Sequence, residues 1–123
     1  MSKRDMAEKQ VWAVIGVTPD KSKFGNRIYL KLKNLNKTVY AINPKYDTVE
    51  GDVCYKSLKD LPEVPEVIDF VVNPYAAKEY IKEAKELGVK NLWFQPGTYT
   101  EELLTKSEGQ GFEVVTACVL VDM

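Results

Sequence analysis

Histidine is absent from the 123 residues. That absence removes Ser–His and Cys–His nucleophilic systems, histidine-containing zinc sites and imidazole acid/base shuttles. Cysteine is scarce too: Cys54 and Cys118 stand far apart, form no Cys-x-x-Cys pair and suggest neither a disulfide scaffold nor a cysteine-rich metal centre. No run approaches the roughly eighteen apolar residues of a membrane span, and Met1 to Gln10 lacks the apolar core of a signal peptide. A cytoplasmic location is expected. Charge of one sign is also lacking. Seventeen basic residues face eighteen acidic ones, with no cluster that would read as a nucleic-acid arm or a membrane-surface helix, so neither partner is expected.

What is present is ordinary for a globular chain, with 45% apolar and 28% charged residues in a length that suits one hydrophobic core. The reading is a polar extension over 1–10 and one domain over 11–123. Val11 to Ile15 is a continuous apolar run stopped by Gly16, the form of a strand buried on both faces. Ile28, Leu32 and Leu35 then recur at helical spacing, ending near Asn36. Thr38 to Ile42 and Val67 to Val72 are further strands, each stopped by Asn-Pro.

Asn73 and Pro74 also suit a helix start, and Ala77, Ile81 and Ala84 supply its buried face before Gly88. Asn91 to Phe94 is a fourth strand. Thr98 with Glu101 has capping-box spacing and predicts a helix ending near Gly109 to Gly111. The Val-rich stretch Phe112 to Val121 is expected as a fifth strand, with Cys118 buried inside it. Asp47 to Pro65 is expected to hold only a short helix. Strands alternating with helices in this way predict an α/β domain, a five-stranded parallel sheet with helices on both faces.

Such sheets bind ligands beyond the carboxyl ends of their strands, which directs attention to Gly16-Val17-Thr18, Asn43-Pro44-Lys45, Asn73-Pro74 and Gln95-Pro96-Gly97. Gly16 before a helix suits a pyrophosphate. Yet Thr18 and Lys21 occupy the second and third glycine positions of the dinucleotide fingerprint. After Ile42 the chain has Asn-Pro-Lys where an NAD site has an acidic residue for the ribose. Lys45 instead favours an added ribose phosphate, as in NADP or coenzyme A. Glu101 and Glu102 are accounted for by the first turn of a helix. Tyr75, Trp93 and Phe94 are expected in the core. No catalytic residue and no metal ligand is assigned.

The loop from Thr18 to Asn26, together with Val39 to Lys45, Ser57 to Pro62 and Leu92 to Gly97, resembles the stand-alone coenzyme A-binding domain proteins over about Val11 to Val121. That family is similar to the N-terminal nucleotide-binding domain of the succinyl-CoA synthetase α subunit, and the resemblance implies a single Rossmann-like domain with coenzyme A as ligand. By the same resemblance, Gly16, Val17, Thr18, Lys23, Phe24, Gly25 and Asn26 would surround the phosphates. Asn43, Pro44 and Lys45 would face the adenosine end, with Val72, Asn73, Pro74, Gln95 and Gly97 along the rest of the groove. The synthetase's phosphohistidine has no counterpart here, and Thr116-Ala117 stand where family members often carry Asp-Arg before the last cysteine.

The expectation is therefore a non-catalytic module for coenzyme A or acyl-CoA. The alternatives are an NADP-dependent oxidoreductase or nucleotide redox sensor, and an acyl-CoA-handling enzyme using Cys118. Assembly into a homo-oligomer or with a partner protein is compatible with either.

Overall fold

The computed structural model describes residues 3–123. Seven strands form one sheet: β1 (Val11–Ile15), β2 (Thr38–Ile42), β3 (Thr48–Val49), β4 (Asp52–Tyr55), β5 (Val67–Phe70), β6 (Asn91–Phe94) and β7 (Glu113–Thr116). Around it lie α1 (Lys3–Ala7), α2 (Phe24–Asn34), α3 (Pro74–Leu87), α4 (Glu101–Gly109) and α5 (Val119–Asp122), with a 3-10 turn at Leu58–Asp60. The strand order is β3-β4-β2-β1-β5-β6-β7, and every pairing is parallel except β3 with β4. From β1 the chain builds outwards through β2 to β4 and then returns to place β5 on the other side of β1. The strand order reverses there, which makes the crevice between the ends of β1 and β5 the ligand position of such a sheet.

Burial explains the continuous apolar runs. Trp12, Val14 and Trp93 pack on one face with Ile28 and Leu32 of α2 and Val119 of α5. Ala13, Ile15, Phe70 and Phe94 pack on the other with Ala77, Ile81 and Ala84 of α3 and Leu103 of α4. Successive strand residues point to opposite faces, so a strand covered on both sides is apolar at nearly every position, with Asp69 of β5 and Asn91 of β6 as buried exceptions. The tryptophans meet edge to face at 5.6 Å, and Phe70 stacks on Phe94 at 4.6 Å.

Four expectations are corrected. The sheet has seven strands in place of five, because Asp47 to Pro65 holds the β3–β4 hairpin besides its short helical turn. Glu50 and Gly51 both take positive φ, at 53° and 78°, the conformation of a two-residue hairpin turn. The last strand stops at Thr116 and Cys118 begins α5. There the Asp122 carboxylate accepts the Cys118 N–H at 2.9 Å and the Gln95 amide oxygen accepts the Val119 N–H at 3.1 Å, so these donors are satisfied outside a ladder.

The α4 cap is Thr100 and not Thr98: Thr100 Oγ1 accepts the Leu103 N–H, while Thr98 Oγ1 donates to the Gln95 carbonyl. Tyr75, expected in the core, is 84% exposed, whereas Trp93 and Phe94 are fully buried. Of the polar extension expected over residues 1–10, Met1 and Ser2 lie outside the described residues. Its next five form α1, which buries Met6. Among the described residues no helix is long and apolar enough to cross a membrane.

Candidate nucleotide-binding crevice

Two glycines bring α2 against the end of β1. A Cβ on Gly25 would lie 2.2 Å from the Gly16 carbonyl oxygen, and Gly16, at φ +102°, leaves no room for one within 2.5 Å of the Val71 carbonyl oxygen. Gly25 thus does the work of the fingerprint's third glycine, close helix–strand packing, from a point four residues later. The intervening loop is longer and braces itself. Asp20 Oδ1 accepts from the Ser22 N–H and hydroxyl, which holds the Asp20 carboxyl below its ordinary range, and Thr18 Oγ1 accepts the Asp20 N–H. At its end Lys23 takes the N-cap position of α2 with no side-chain cap, and the first turn carries no acidic residue. An 11-residue helix whose first N–H groups lack a capping side chain presents donors and a positive dipole end to an anion.

The loops after β1 and β2 are tied together. Asn43 Nδ2 donates to the Val17 carbonyl at 2.9 Å, and Asn43 Oδ1 accepts the Lys45 N–H at 3.0 Å. Asn26, almost fully buried in the first turn of α2, gives its amide hydrogens to the Thr18 carbonyl at 2.9 Å and to Glu50 Oε1 at 3.0 Å. Lys21 also reaches Glu50, at 2.7 Å. Tyr29 donates to Asp52 at 2.6 Å and Lys33 pairs with the same carboxylate, so three side chains of α2 hold the hairpin. Burial and the bond to Asp52 push the Tyr29 hydroxyl pKa far up.

A cleft of about 290 Å³ opens where Gly16, Asn43, Pro44, Lys45, Val72 and Asn73 meet Tyr80 of α3. A second, of about 280 Å³, lies between Phe24 and Ile28 of α2, Val71, Gln95, Pro96 and Cys118. Phe24 is 61% exposed beside it, with the Arg27 guanidinium over its ring at 5.6 Å. Of the residues singled out by the sequence, Gly16, Asn43, Pro44, Lys45, Val72 and Asn73 line the first cleft and Phe24 and Gln95 the second, while Thr18, Lys23, Gly25 and Asn26 belong to the loop and first turn of α2 and line neither. Val17, Pro74 and Gly97 also stand apart from the clefts, and Asn73 has a second role. Val17 turns its side chain into the core and offers only backbone. Pro74 lines a smaller depression between α3 and α4, Gly97 lines neither cleft, and Asn73 Oδ1 caps α3 by accepting the Ala76 N–H.

Gln95 is a buried link. Its amide donates to Asp69 Oδ1 at 2.7 Å and its carbonyl accepts from Val119, joining β5, β6 and α5 beneath the second cleft. Asp69 went unnoticed in the sequence, although an acidic residue inside an apolar run is the signal that could have found it. It is fully buried, its Oδ2 has no partner, and burial pushes its pKa up to about 7 against the lowering effect of Gln95. Glu50 was also missed, hidden in the unrecognised hairpin. Cys118 lines the second cleft and is half-buried, correcting the expectation of a thiol buried within a strand. Cys54 is buried, and burial raises its thiol pKa. No group of three or more Cys, Asp or Glu among the described residues could hold a metal ion.

Over 83 residues the chain is 40% identical to the acetate–CoA ligase (ADP-forming) I of Archaeoglobus fulgidus, a match that covers 68% of this chain but only 12% of that protein. Among solved structures, a hypothetical protein from Pyrococcus horikoshii superposes with a TM-score of 0.90 at 31% identity, over 99% of this chain and 89% of that one. A conserved hypothetical protein from Pyrococcus furiosus gives 0.85 at 38%, over 93% and 99%. The sequence profile of the CoA binding domain matches residues 10–123, nearly the whole length. With that match, and with the strand-end loops meeting at the β1/β5 reversal, the chain belongs to the CoA binding domain family.

Proposed function

We propose that residues 11–123 bind coenzyme A, or an acyl-CoA, across the carboxyl ends of β1, β2, β5 and β6, as a binding module without catalysis of its own. The observation that carries this reading is the Gly16–Gly25 approach, which sets the uncapped start of α2 at the reversal point between the two clefts. The phosphates lie along Gly16 to Asn26. The adenosine end takes the cleft at Asn43 and Lys45, whose cation suits the ribose phosphate, and the pantetheine arm runs towards Phe24 and Cys118. The matched acetate–CoA ligase (ADP-forming) gives the module a setting, since the region similar to this chain is a small part of that much longer protein, and a partner protein fits that setting. A cytoplasmic location completes the reading.

Isothermal titration of the folded protein with coenzyme A tests it, and NADPH is the competitor to run beside it. Heat with coenzyme A and a weaker response to NADPH is the expected result. No response to coenzyme A at millimolar concentration refutes the reading, and a preference for NADPH replaces it with the redox alternative.

A further inference from the structure

The Glu50 carboxylate stands where the phosphate loop should be open to an anion. Its Oε1 accepts from Lys21 of that loop at 2.7 Å and from Asn26, in the first turn of α2, at 3.0 Å. Both amide hydrogens of Asn26 are engaged, since the other bond runs to the Thr18 carbonyl. A ligand phosphate approaching these donors meets an acceptor already in place, and a negative one.

Bracing the hairpin to α2 needs only an acceptor for the Asn26 amide, and the Lys21 ion pair does not account for that acceptor's being charged. The Lys21 side chain is 74% exposed, and such ion pairs contribute little. Glu50 also occupies the left-handed region, at φ 53°, where a residue other than glycine, asparagine or aspartate is disfavoured. Asparagine or glycine would make the better hairpin turn. The residue is held in an unfavourable conformation that delivers its carboxylate to the two donors, a pattern that points to function.

We propose that Glu50 is an internal counter-anion of the phosphate site: it occupies Lys21 and Asn26 in the free protein and sets the threshold that a phosphorylated ligand must exceed to displace it. The proposal rests on the reading that phosphates bind at the start of α2. A ligand also held in the two clefts overcomes the competition, while a bare anion does not. Glu50 thereby selects for nucleotides of the coenzyme A type against inorganic phosphates.

Calorimetric titrations of wild type and Glu50→Gln with two probes, coenzyme A and inorganic pyrophosphate, test this. A charge-assisted hydrogen bond is at stake, so Glu50→Gln is expected to bind coenzyme A about tenfold more tightly and to gain measurable pyrophosphate binding that wild type lacks. Glu50→Gly, which suits the turn better although it leaves the Asn26 amide one partner short, must show the same gains in its folded form, and adding Lys21→Met must reduce them. Unchanged or weaker binding of both probes by the two Glu50 variants overturns the proposal, even if wild type binds coenzyme A and the functional reading stands. Pyrophosphate binding gained without any response to coenzyme A supports the counter-anion and refutes the functional reading instead.

Discussion

Asp69 ties the stability of this fold to pH in a direction opposite to most carboxylates. Its pKa rises from 3.8 to about 7 because the side chain is fully buried between β1 and β6 with one oxygen unpartnered. The folded protein therefore holds this proton more tightly than the unfolded chain does. Below about pH 4 both states are protonated and Asp69 adds no pH dependence. Between about 4 and 7 the unfolded chain ionises while the folded one does not, so stability falls as pH rises, and above about 7 the loss levels off.

At roughly 1.4 kcal/mol per pKa unit, the full change is about 4 kcal/mol. Exposed groups such as Asp20, Glu50 and Asp122 are shifted down and act the other way. The wild-type curve alone therefore mixes the effects. Urea unfolding of wild type and Asp69→Asn at a series of pH values from 4 to 8 separates them, since the amide in the variant keeps an acceptor for Gln95 without the ionisation. The difference in unfolding free energy between the two proteins should shift by about 4 kcal/mol across that range, in favour of the variant at high pH. A difference that stays constant from pH 4 to 8 would show that Asp69 is ionised in the folded protein, and the burial argument would fall.

Gly25→Ala drives a methyl against a backbone oxygen at 2.2 Å. It should destabilise by about 2 kcal/mol, as overpacking does, and weaken coenzyme A binding; an unchanged melting temperature would mean that α2 and β1 can part freely. Asn73→Ala removes the acceptor of the Ala76 N–H at the start of α3 and should cost about 1 kcal/mol, measured by thermal unfolding with circular dichroism. Native alkylation followed by mass spectrometry should modify Cys118, which lines a cleft, and spare buried Cys54 until the protein is denatured. Coenzyme A should slow the Cys118 reaction, and labelling only after denaturation would contradict its placement.

The long elements were legible because their burial is uniform. Val11–Ile15 and Asn91–Phe94 are covered on both faces, and α3 carries its own punctuation in Asn73, Pro74 and Gly88. The hairpin was not legible: β3 has only two residues, too few for an alternating pattern, and its turn carries Glu-Gly where Asn-Gly or Asp-Gly would signal one. Cys118 to Val121 reads as strand from its valines, yet Val119–Asp122 is helical, with Asp122 and the distant Gln95 taking the first N–H groups. That is tertiary context overriding propensity.

Site positions were found because strand ends are where such sheets bind, whereas the roles of particular side chains were not. Gln95 does line the second cleft, but that its amide is also taken up by Asp69 and Val119 is a long-range fact that strand-end position does not show. The third glycine of the fingerprint is not legible because Gly25 stands outside its fixed spacing, although it meets Gly16 closely; the second position remains Thr18.

The two clefts belong to different halves of the molecule. One is walled by Ile15, Ile42 and Tyr80, which pack with the α3 layer, and the other by Ile28 and Val71, which pack with the α2 layer. A single elongated molecule lying in both would straddle the rim of the sheet like a saddle, crossing at Gly16 where no side chain rises. Occupancy would then clamp two otherwise separate cores to one another, and slowed amide exchange should appear on both sides of the sheet together.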